Sequence, residues 1–140
     1  MPTAGYSGTP LAKKLGLAPG MRLLVRAAPP EYADWIAPAP EGLVLTARAA
    51  APAAVHLFVT ERADLEQQLG ALRSTLADTG FVWVSWPKKS AKVPTTVTED
   101  VIRAVALPMG FVDVKVCAVS DTWSGLKLVI RVTERGKPRR

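Results

Sequence analysis

Residues 55–86 read VHLFVTERADLEQQLGALRSTLADTGFVWVSW, which is a strand–helix–strand pattern. Its two ends, 55–60 and 81–86, are short apolar runs without polar alternation, as in central strands that are covered on both faces. Between them, leucines recur at helical spacing from Leu65 to Leu76, with acids early and a base late. The segment therefore predicts two buried strands joined by a helical crossover.

The preceding residues predict two further strands, MRLLVR at 21–26 and GLVLTAR at 42–48. A short helix is expected at LAKKL (11–15), with Thr9 as its N-cap, and another around residues 31–36. Turn signals rich in Pro and Gly separate these elements.

On the carboxyl-terminal side, Thr96 and Glu99 have the spacing of a capping box, with Thr98 as the alternative cap, and the helix that follows is expected to run to about Leu107. The segments 111–119 and 126–132 then alternate between apolar and polar residues, as in strands with one buried face. We expect a turn at 120–125 to join them as an antiparallel pair. The buried face of the first strand is predicted from its alternating valines, Val112, Val114 and Val116.

Strands that alternate with helices and end in a hairpin are typical of an α/β protein with right-handed crossovers. The predicted fold is a single three-layer sandwich around a mostly parallel sheet of about six strands. The predicted strand order is 2-1-3-4-6-5, because 55–60 and 81–86 need central places and the final hairpin suits an edge.

Composition favours one globular domain, since the 140 residues are 49% hydrophobic and 21% charged. With one cysteine and one histidine, the chain cannot form an internal disulfide or an ordinary structural zinc site. No apolar run approaches a membrane span, and residues 1–14 lack a hydrophobic signal core. We therefore expect a cytoplasmic protein without metal.

The net charge of +6 is concentrated in two places. The last ten residues carry a net +4 and the segment 85–93 a net +3, so the rest of the chain is close to neutral. We expect residues 1–133 to form the domain and residues 134–140 to be a basic, flexible tail. Nucleic acid is not an expected partner, because a binder would spread its basic residues over a folded face.

Three segments resemble class I S-adenosylmethionine-dependent methyltransferases. They correspond to the first strand, to the helix and strand after the cofactor site, and to the closing hairpin of that class. The segments are PGMRLLV (19–25), LGALRSTLADTGFVWVSW (69–86) and GFVDVKVCAVSDTWSGLKLVIR (110–131). The resemblance implies a methyltransferase-like fold.

A second combination of segments resembles a bacterial family, domain of unknown function 3052. The segments are GYSGTPLAKKLGL (5–17), VHLFVTERADL (55–65), WVSWPKK (83–89), TEDVIR (98–103) and VKVCAVSDTWSGLKLVIR (114–131). This resemblance spans about residues 5–131 and implies no known activity.

The methyltransferase pattern is broken where the cofactor would bind. Enzymes of that class place an acid and a glycine-rich turn after the first strand, whereas this chain has VRAAPPEYADWI at 25–36. Prolines fix φ and remove backbone donors, so we expect no cofactor and at best weak binding of adenosylmethionine.

No residues of this sequence specify a catalytic site. His56 lies within an apolar strand, where a hydrogen-bonded structural role is favoured over that of a catalytic base. Cys117 is out of phase with the neighbouring valines, which suggests the polar face, and a packing role is favoured over reactivity.

The loop SWPKKSAK at 85–92 is the candidate ligand site, because ligands of open α/β sheets gather beyond the carboxyl ends of central strands. The helix that begins near Thr98 would add free amides and a positive dipole end. Trp123 is expected either to cover the site or to plug the sheet end. The candidate ligand-binding residues are Trp86, Lys88, Lys89, Lys92, Thr98 and Trp123.

Two function classes follow. The favoured class is a non-catalytic binding or regulatory module that recognises an anionic small molecule or an acidic partner surface through this loop. The alternative is an enzyme, such as a transferase, with an atypical site on a methyltransferase-like scaffold.

Overall fold

A computed structural model describes residues 9–136. Its helices and strands alternate through most of the chain, and two short 3₁₀ turns lie at Lys89–Ala91 and Val132–Glu134. The other elements are α1 (Leu11–Lys14), β1 (Arg22–Arg26), α2 (Tyr32–Trp35), β2 (Val44–Thr46), β3 (Ala54–Phe58), α3 (Arg62–Thr75), β4 (Phe81–Pro87), α4 (Glu99–Met109), β5 (Phe111–Ala118) and β6 (Trp123–Ile130). Within residues 9–136, no helix is long and apolar enough to cross a membrane.

All six strands form one sheet in the order β2-β1-β3-β4-β6-β5, which confirms the predicted order. Strands β2, β1, β3 and β4 run parallel, while β6 lies antiparallel between β4 and β5. Strands β3 and β4 are buried nearly throughout, as expected for apolar runs that are covered on both faces.

Helices cover both faces of the sheet and so create two hydrophobic cores. On one face, leucines of α3 and Ile102 and Val105 of α4 pack against β3, β4 and β6. On the other face, α1 and α2 pack against Leu23, Phe58 and Trp83. The Trp83 indole also donates a hydrogen bond to the Leu15 carbonyl at 2.9 Å, which attaches the chain after α1 to the sheet. The protein is therefore the predicted three-layer sandwich.

The final hairpin differs from its prediction in two ways. A register shift between Asp113 and Lys115 interrupts the alternation of β5, and Val114 and Val116 are 55% and 53% exposed instead of buried. Strand β6 begins at Trp123 rather than at residue 126, so the connecting turn is shorter than expected. The apolar pattern alone could not reveal the shift, because valines also suit an exposed edge strand.

The helix ends also differ in detail from their predictions. Pro108 lies within the last turn of α4, which ends at Met109 and is followed by Gly110, whose φ of 100° is in the left-handed region. Pro10, rather than Thr9, precedes the first residue of α1, and its side chain makes no capping bond.

The chain near its carboxyl end contacts the body of the protein. Glu134 forms an ion pair with the buried Arg73 (Nη2–Oε1 3.6 Å), and the Gly136 amide donates to Asp78 at 2.8 Å. The boundary predicted at residue 133 therefore falls inside a docked segment that reaches at least Gly136. The rest of the predicted tail, 137–140, lies outside the described residues.

Candidate functional site

The chain leaves the sheet at the carboxyl end of β4 with Lys88 and Lys89. The Lys88 amide donates to the Thr122 carbonyl at 2.8 Å, which holds the start of this loop against the hairpin turn. Lys89 begins the 3₁₀ turn that runs to Ala91, and Lys92 follows it with a φ of 56°. The two lysines that follow β4 are thus held near the sheet, while Lys92 lies beyond the turn and is exposed.

A solvent-open pocket of about 720 Å³ lies beside this loop. It contains four of the six predicted ligand-binding residues, namely Trp86, Lys88, Lys89 and Thr98. The other residues that line it are Pro87, Val93, Thr95, Val97, Glu99, Asp100 and Ser124. The structure therefore brings the β4 loop and the start of α4 together, as the topology predicted.

Lys92 and Trp123 are not among the residues that line the pocket. Trp123 is paired with Pro87, whereas Trp86 is paired with Ser124. Since neighbouring residues of a strand point to opposite faces, Trp86 and Trp123 lie on different sides of the sheet. Trp123 packs edge to face on Phe58, with the ring centroids 5.1 Å apart, in the core beneath α1 and α2. It belongs to that core rather than to the pocket wall.

Two threonines near the pocket cap two different helices. The Thr98 hydroxyl accepts a hydrogen bond from the Val101 amide at 3.2 Å and so caps α4. The capping box predicted from Thr96 is therefore wrong, because Thr96 instead accepts from the Arg62 amide at 2.6 Å, at the first residue of α3. The segment before α4 therefore also fixes the start of α3, a long-range role that local spacing does not indicate.

The acids at the start of α4 are engaged by one arginine. The Arg103 guanidinium binds the carboxylates of Glu99, Asp100 and Asp113, the last at 3.0 Å from Nε. Its hydrogen bonds to Glu99 and Asp113 raise the pKa of Arg103. Lys88 and Lys89 have no ion-pair partner within residues 9–136. The pocket thus combines two uncompensated lysines with acids that Arg103 partly neutralises.

His56 is fully buried in the centre of the sheet, on the face opposite the pocket. Its Nδ1 lies 2.8 Å from the Tyr32 hydroxyl, and its Nε2 lies 2.7 Å from Ser85 Oγ. Burial lowers the pKa of His56 to about 3 and raises that of Tyr32. Ser85 is also fully buried. The trio lacks the access that a reacting serine would need, and it fits the structural role predicted for His56.

Cys117 is half-buried and contacts the core beneath α1 and α2. Burial raises the pKa of its thiol, and the charges of Lys14 and Lys115 oppose that effect. Cys117 also lines an open groove together with Lys115, so it lies on the polar side expected from its phase while packing partly against this core.

Metal-ligating side chains do not cluster anywhere in the described part of the chain: no group of three or more His, Cys, Asp or Glu could hold an ion.

Sequence reasoning missed several residues of the pocket wall, including Thr95 and Ser124. Ser124 could be found only from the β4–β6 register, which places it beside Trp86. Thr95 follows Pro94 in a segment without periodicity, and its hydroxyl donates to the Thr60 carbonyl at 2.7 Å. Thr95 reaches the pocket wall only because the segment before α4 folds onto the chain that follows β3.

Comparison with solved structures finds related architectures among methyltransferases. A Sulfolobus solfataricus protein assigned as a type 11 methyltransferase has a TM-score of 0.62 at 11% identity, over 93% of this chain and 95% of that chain. An S-adenosylmethionine-dependent methyltransferase from Clostridium acetobutylicum has a TM-score of 0.58 at 7% identity, over 86% and 87% of the two chains. At these identities the likeness establishes the fold alone, which is methyltransferase-like, as expected.

Comparison with curated protein sequences gave no match. Residues 46–132 match the family described as protein of unknown function, DUF3052. This region contains β3 to β6, α3 and α4, and hence every residue that lines the pocket. Because the match covers more than half of the sequence, the chain belongs to the DUF3052 family.

Proposed function

We propose that this protein is a binding module that recognises an anionic small molecule, with phosphate as the favoured group, in the pocket beside Lys88 and Lys89. The observation that carries the proposal is the meeting of these two lysines with the first turn of α4 in one pocket of about 720 Å³. That volume lies in the usual range for small-molecule sites.

The charges of the pocket support an anion. Lys88 and Lys89 have no ion-pair partner within residues 9–136, whereas the nearby Glu99 is bound by Arg103. Thr98 and Ser124 add hydroxyls that can donate to an oxyanion. Lysines act as mobile point charges, which suits a phosphate better than a fixed planar carboxylate.

The position of the pocket also supports a ligand. In open α/β sheets, small molecules bind beyond the carboxyl ends of the strands. The pocket lies at that end of β4, between the parallel half of the sheet and the antiparallel β6.

A binding role is favoured over the alternative of an enzyme because both acids of the pocket, Glu99 and Asp100, are paired with Arg103. His56 and Ser85 are buried and lie on the other face of the sheet. The fold shared with S-adenosylmethionine-dependent methyltransferases is compatible with a transferase, and the binding of that cofactor is the test that separates the two functions.

Thermal-shift measurements test the proposal. We expect ATP or inorganic pyrophosphate at about 100 times its Kd to stabilise the protein by about 2.7 kcal/mol, which raises the melting temperature by several degrees. The double variant Lys88→Gln/Lys89→Gln should fold normally and lose this response, because exposed loop charges contribute little to stability. Polyglutamate is added in the same experiment, because it stands for the acidic partner surface that is the other expected ligand of this loop.

A matched control removes two exposed arginines at the far edge of the sheet, Arg22→Gln/Arg48→Gln, with the same change in net charge. This control should respond to ATP like the unmodified protein. Equal losses in both variants would show a general charge effect and refute the site, and a response that survives in the lysine variant would place the ligand elsewhere.

A further inference from the structure

A second basic surface lies on the other side of the hairpin, between α1 and β5. This α1–β5 groove has a volume of about 550 Å³ and is open to solvent. It is lined by Thr9, Lys13, Lys14, Lys115, Val116, Cys117 and Ala118. We propose that the groove docks an acidic, extended segment of a partner protein, which adds alongside the outer edge of β5.

The charge of the groove determines the kind of partner. Lys13, Lys14 and Lys115 line it together, and no acid is among the described residues that do so. The Lys115 ammonium donates to the backbone carbonyl of Lys14 at 3.3 Å, so the Lys115 side chain lies against the end of α1 although 101 positions separate the two residues. Lys127 lies near enough to Lys115 for their repulsion to add to the effect of burial in lowering the pKa of Lys127.

The edge of β5 determines the conformation of the partner. Strand β5 is the last strand of the sheet, and among the described residues it pairs only with β6. An edge strand offers unpaired backbone groups that an extended peptide can bind by strand addition. Val114 and Val116 flank Lys115 and are more than half exposed, so this part of the edge presents one lysine between two apolar side chains. A partner strand that alternates acidic and apolar residues would complement both.

Two other occupants fit less well. A second copy of this chain would bring the lysines of two β5 edges together, and like charges opposite each other disfavour strand pairing. A single-stranded nucleic acid usually stacks its bases on aromatic side chains, and none lines the described part of the groove. The observations therefore favour an acidic peptide, and nucleic acid becomes an outcome of the test.

The experiment titrates the full-length protein with a synthetic peptide of alternating Glu and Val at low ionic strength and measures affinity by fluorescence anisotropy. A peptide of alternating Lys and Val, with the same β propensity, should not bind. The variant Lys14→Gln/Lys115→Gln should weaken binding roughly tenfold, which is the effect of losing two exposed ion pairs. The control Arg22→Gln/Arg48→Gln has the same change in net charge and should bind as the unmodified protein does.

Hydrogen exchange supplies a second readout, since strand addition should slow the exchange of β5 amides between Val114 and Ala118. The proposal is refuted if the Glu-Val peptide does not bind, or if both double variants weaken binding equally. It is also refuted if a thymidine oligonucleotide binds more tightly through the same lysines. Loss of peptide binding in Lys88→Gln/Lys89→Gln alone would assign the peptide to the other pocket and would likewise overturn it.

Discussion

The ring of His56 shows how single residues of this protein combine polar chemistry with burial. Both ring nitrogens lie within 2.8 Å of a hydroxyl oxygen, from Tyr32 and Ser85, so the neutral ring loses little on leaving water. The charged ring would lose its hydration, and for this reason the folded pKa is about 3.

The low pKa of His56 predicts a dependence of stability on pH. Below the ordinary value of 6.5, the unfolded chain takes up a proton on this ring and the folded protein does not. The free energy of unfolding should therefore fall by about 2 kcal/mol between pH 8 and pH 5. NMR can follow the ring directly, because the chain has one histidine. Its ring signals should be unchanged down to pH 5, and a titration midpoint near 6.5 in the folded protein would contradict the account.

Gly125 and Gly70 form a matched pair of positions for a second prediction. A Cβ at Gly125 would lie 3.1 Å from a methyl of Val119 and 3.2 Å from the buried Trp83 ring, whereas one at Gly70 would meet nothing within 4 Å. Gly125→Ala should cost about 1–3 kcal/mol through overpacking. Gly70→Ala, on the exposed side of α3, should stabilise the protein by about 0.5–1 kcal/mol. Urea denaturation measures both, and a neutral Gly125→Ala would show that the sheet can yield there.

At the scale of elements, much of the sheet was predictable because β3 and β4 carry apolar residues on both faces. The outer strands were less predictable. Val114 and Val116 of β5 are exposed, and so are Val44 and Leu45 of the three-residue β2. In these edge strands, apolar residues therefore do not mark a face that helices cover. Lys13 and Lys14 of α1 line the α1–β5 groove, and no local pattern predicts their contact with a strand about a hundred residues later.

The loop after β1 also shows where a sequence pattern is incomplete. Although it lacks glycine, Ala27 adopts a φ of 61°, so the chain makes a left-handed turn with an ordinary residue. Pro29 and Pro30 still remove two amide donors, and Tyr32 packs edge to face on Phe58 with the ring centroids 5.6 Å apart. This loop is therefore shaped for packing on β3.

From that packing we predict that adenosylmethionine binds no better than weakly. Calorimetry should give a dissociation constant above the low micromolar range. A low micromolar or tighter constant, which corresponds to roughly 7–8 kcal/mol of binding free energy, would contradict the prediction and favour the transferase. ATP in a parallel titration provides the comparison with an adenine nucleotide that carries phosphates.

At the scale of the whole molecule, the carboxyl-terminal segment closes the side of the sandwich where α3, α4 and β6 meet. Arg73 is buried, donates to the Met109 carbonyl at 2.7 Å and pairs with Glu134. The Arg135 guanidinium donates to the Ile130 carbonyl at 3.0 Å. The basic residues of 134–140 predicted a flexible tail, and the polar contacts that dock its first residues are not visible in the sequence.

Truncation tests this closure. Deletion of residues 134–140 leaves Arg73 without its carboxylate and should cost about 1–3 kcal/mol, or several degrees of melting temperature. Deletion of 137–140 alone keeps Glu134, Arg135 and Gly136 with their contacts and should therefore cost much less. Equal melting temperatures for the two truncated proteins would show that the Glu134 contacts add nothing.

The most direct test of anion binding is an amide NMR titration of the full-length protein with ATP. Binding at the pocket should shift the amides of Lys88, Lys89 and the first turn of α4, and the affinity should fall as salt rises. Spectra of Lys88→Gln/Lys89→Gln should show the same fold without these shifts. The account is contradicted if ATP shifts none of these amides at millimolar concentration, or if its effects fall only on the α1–β5 groove.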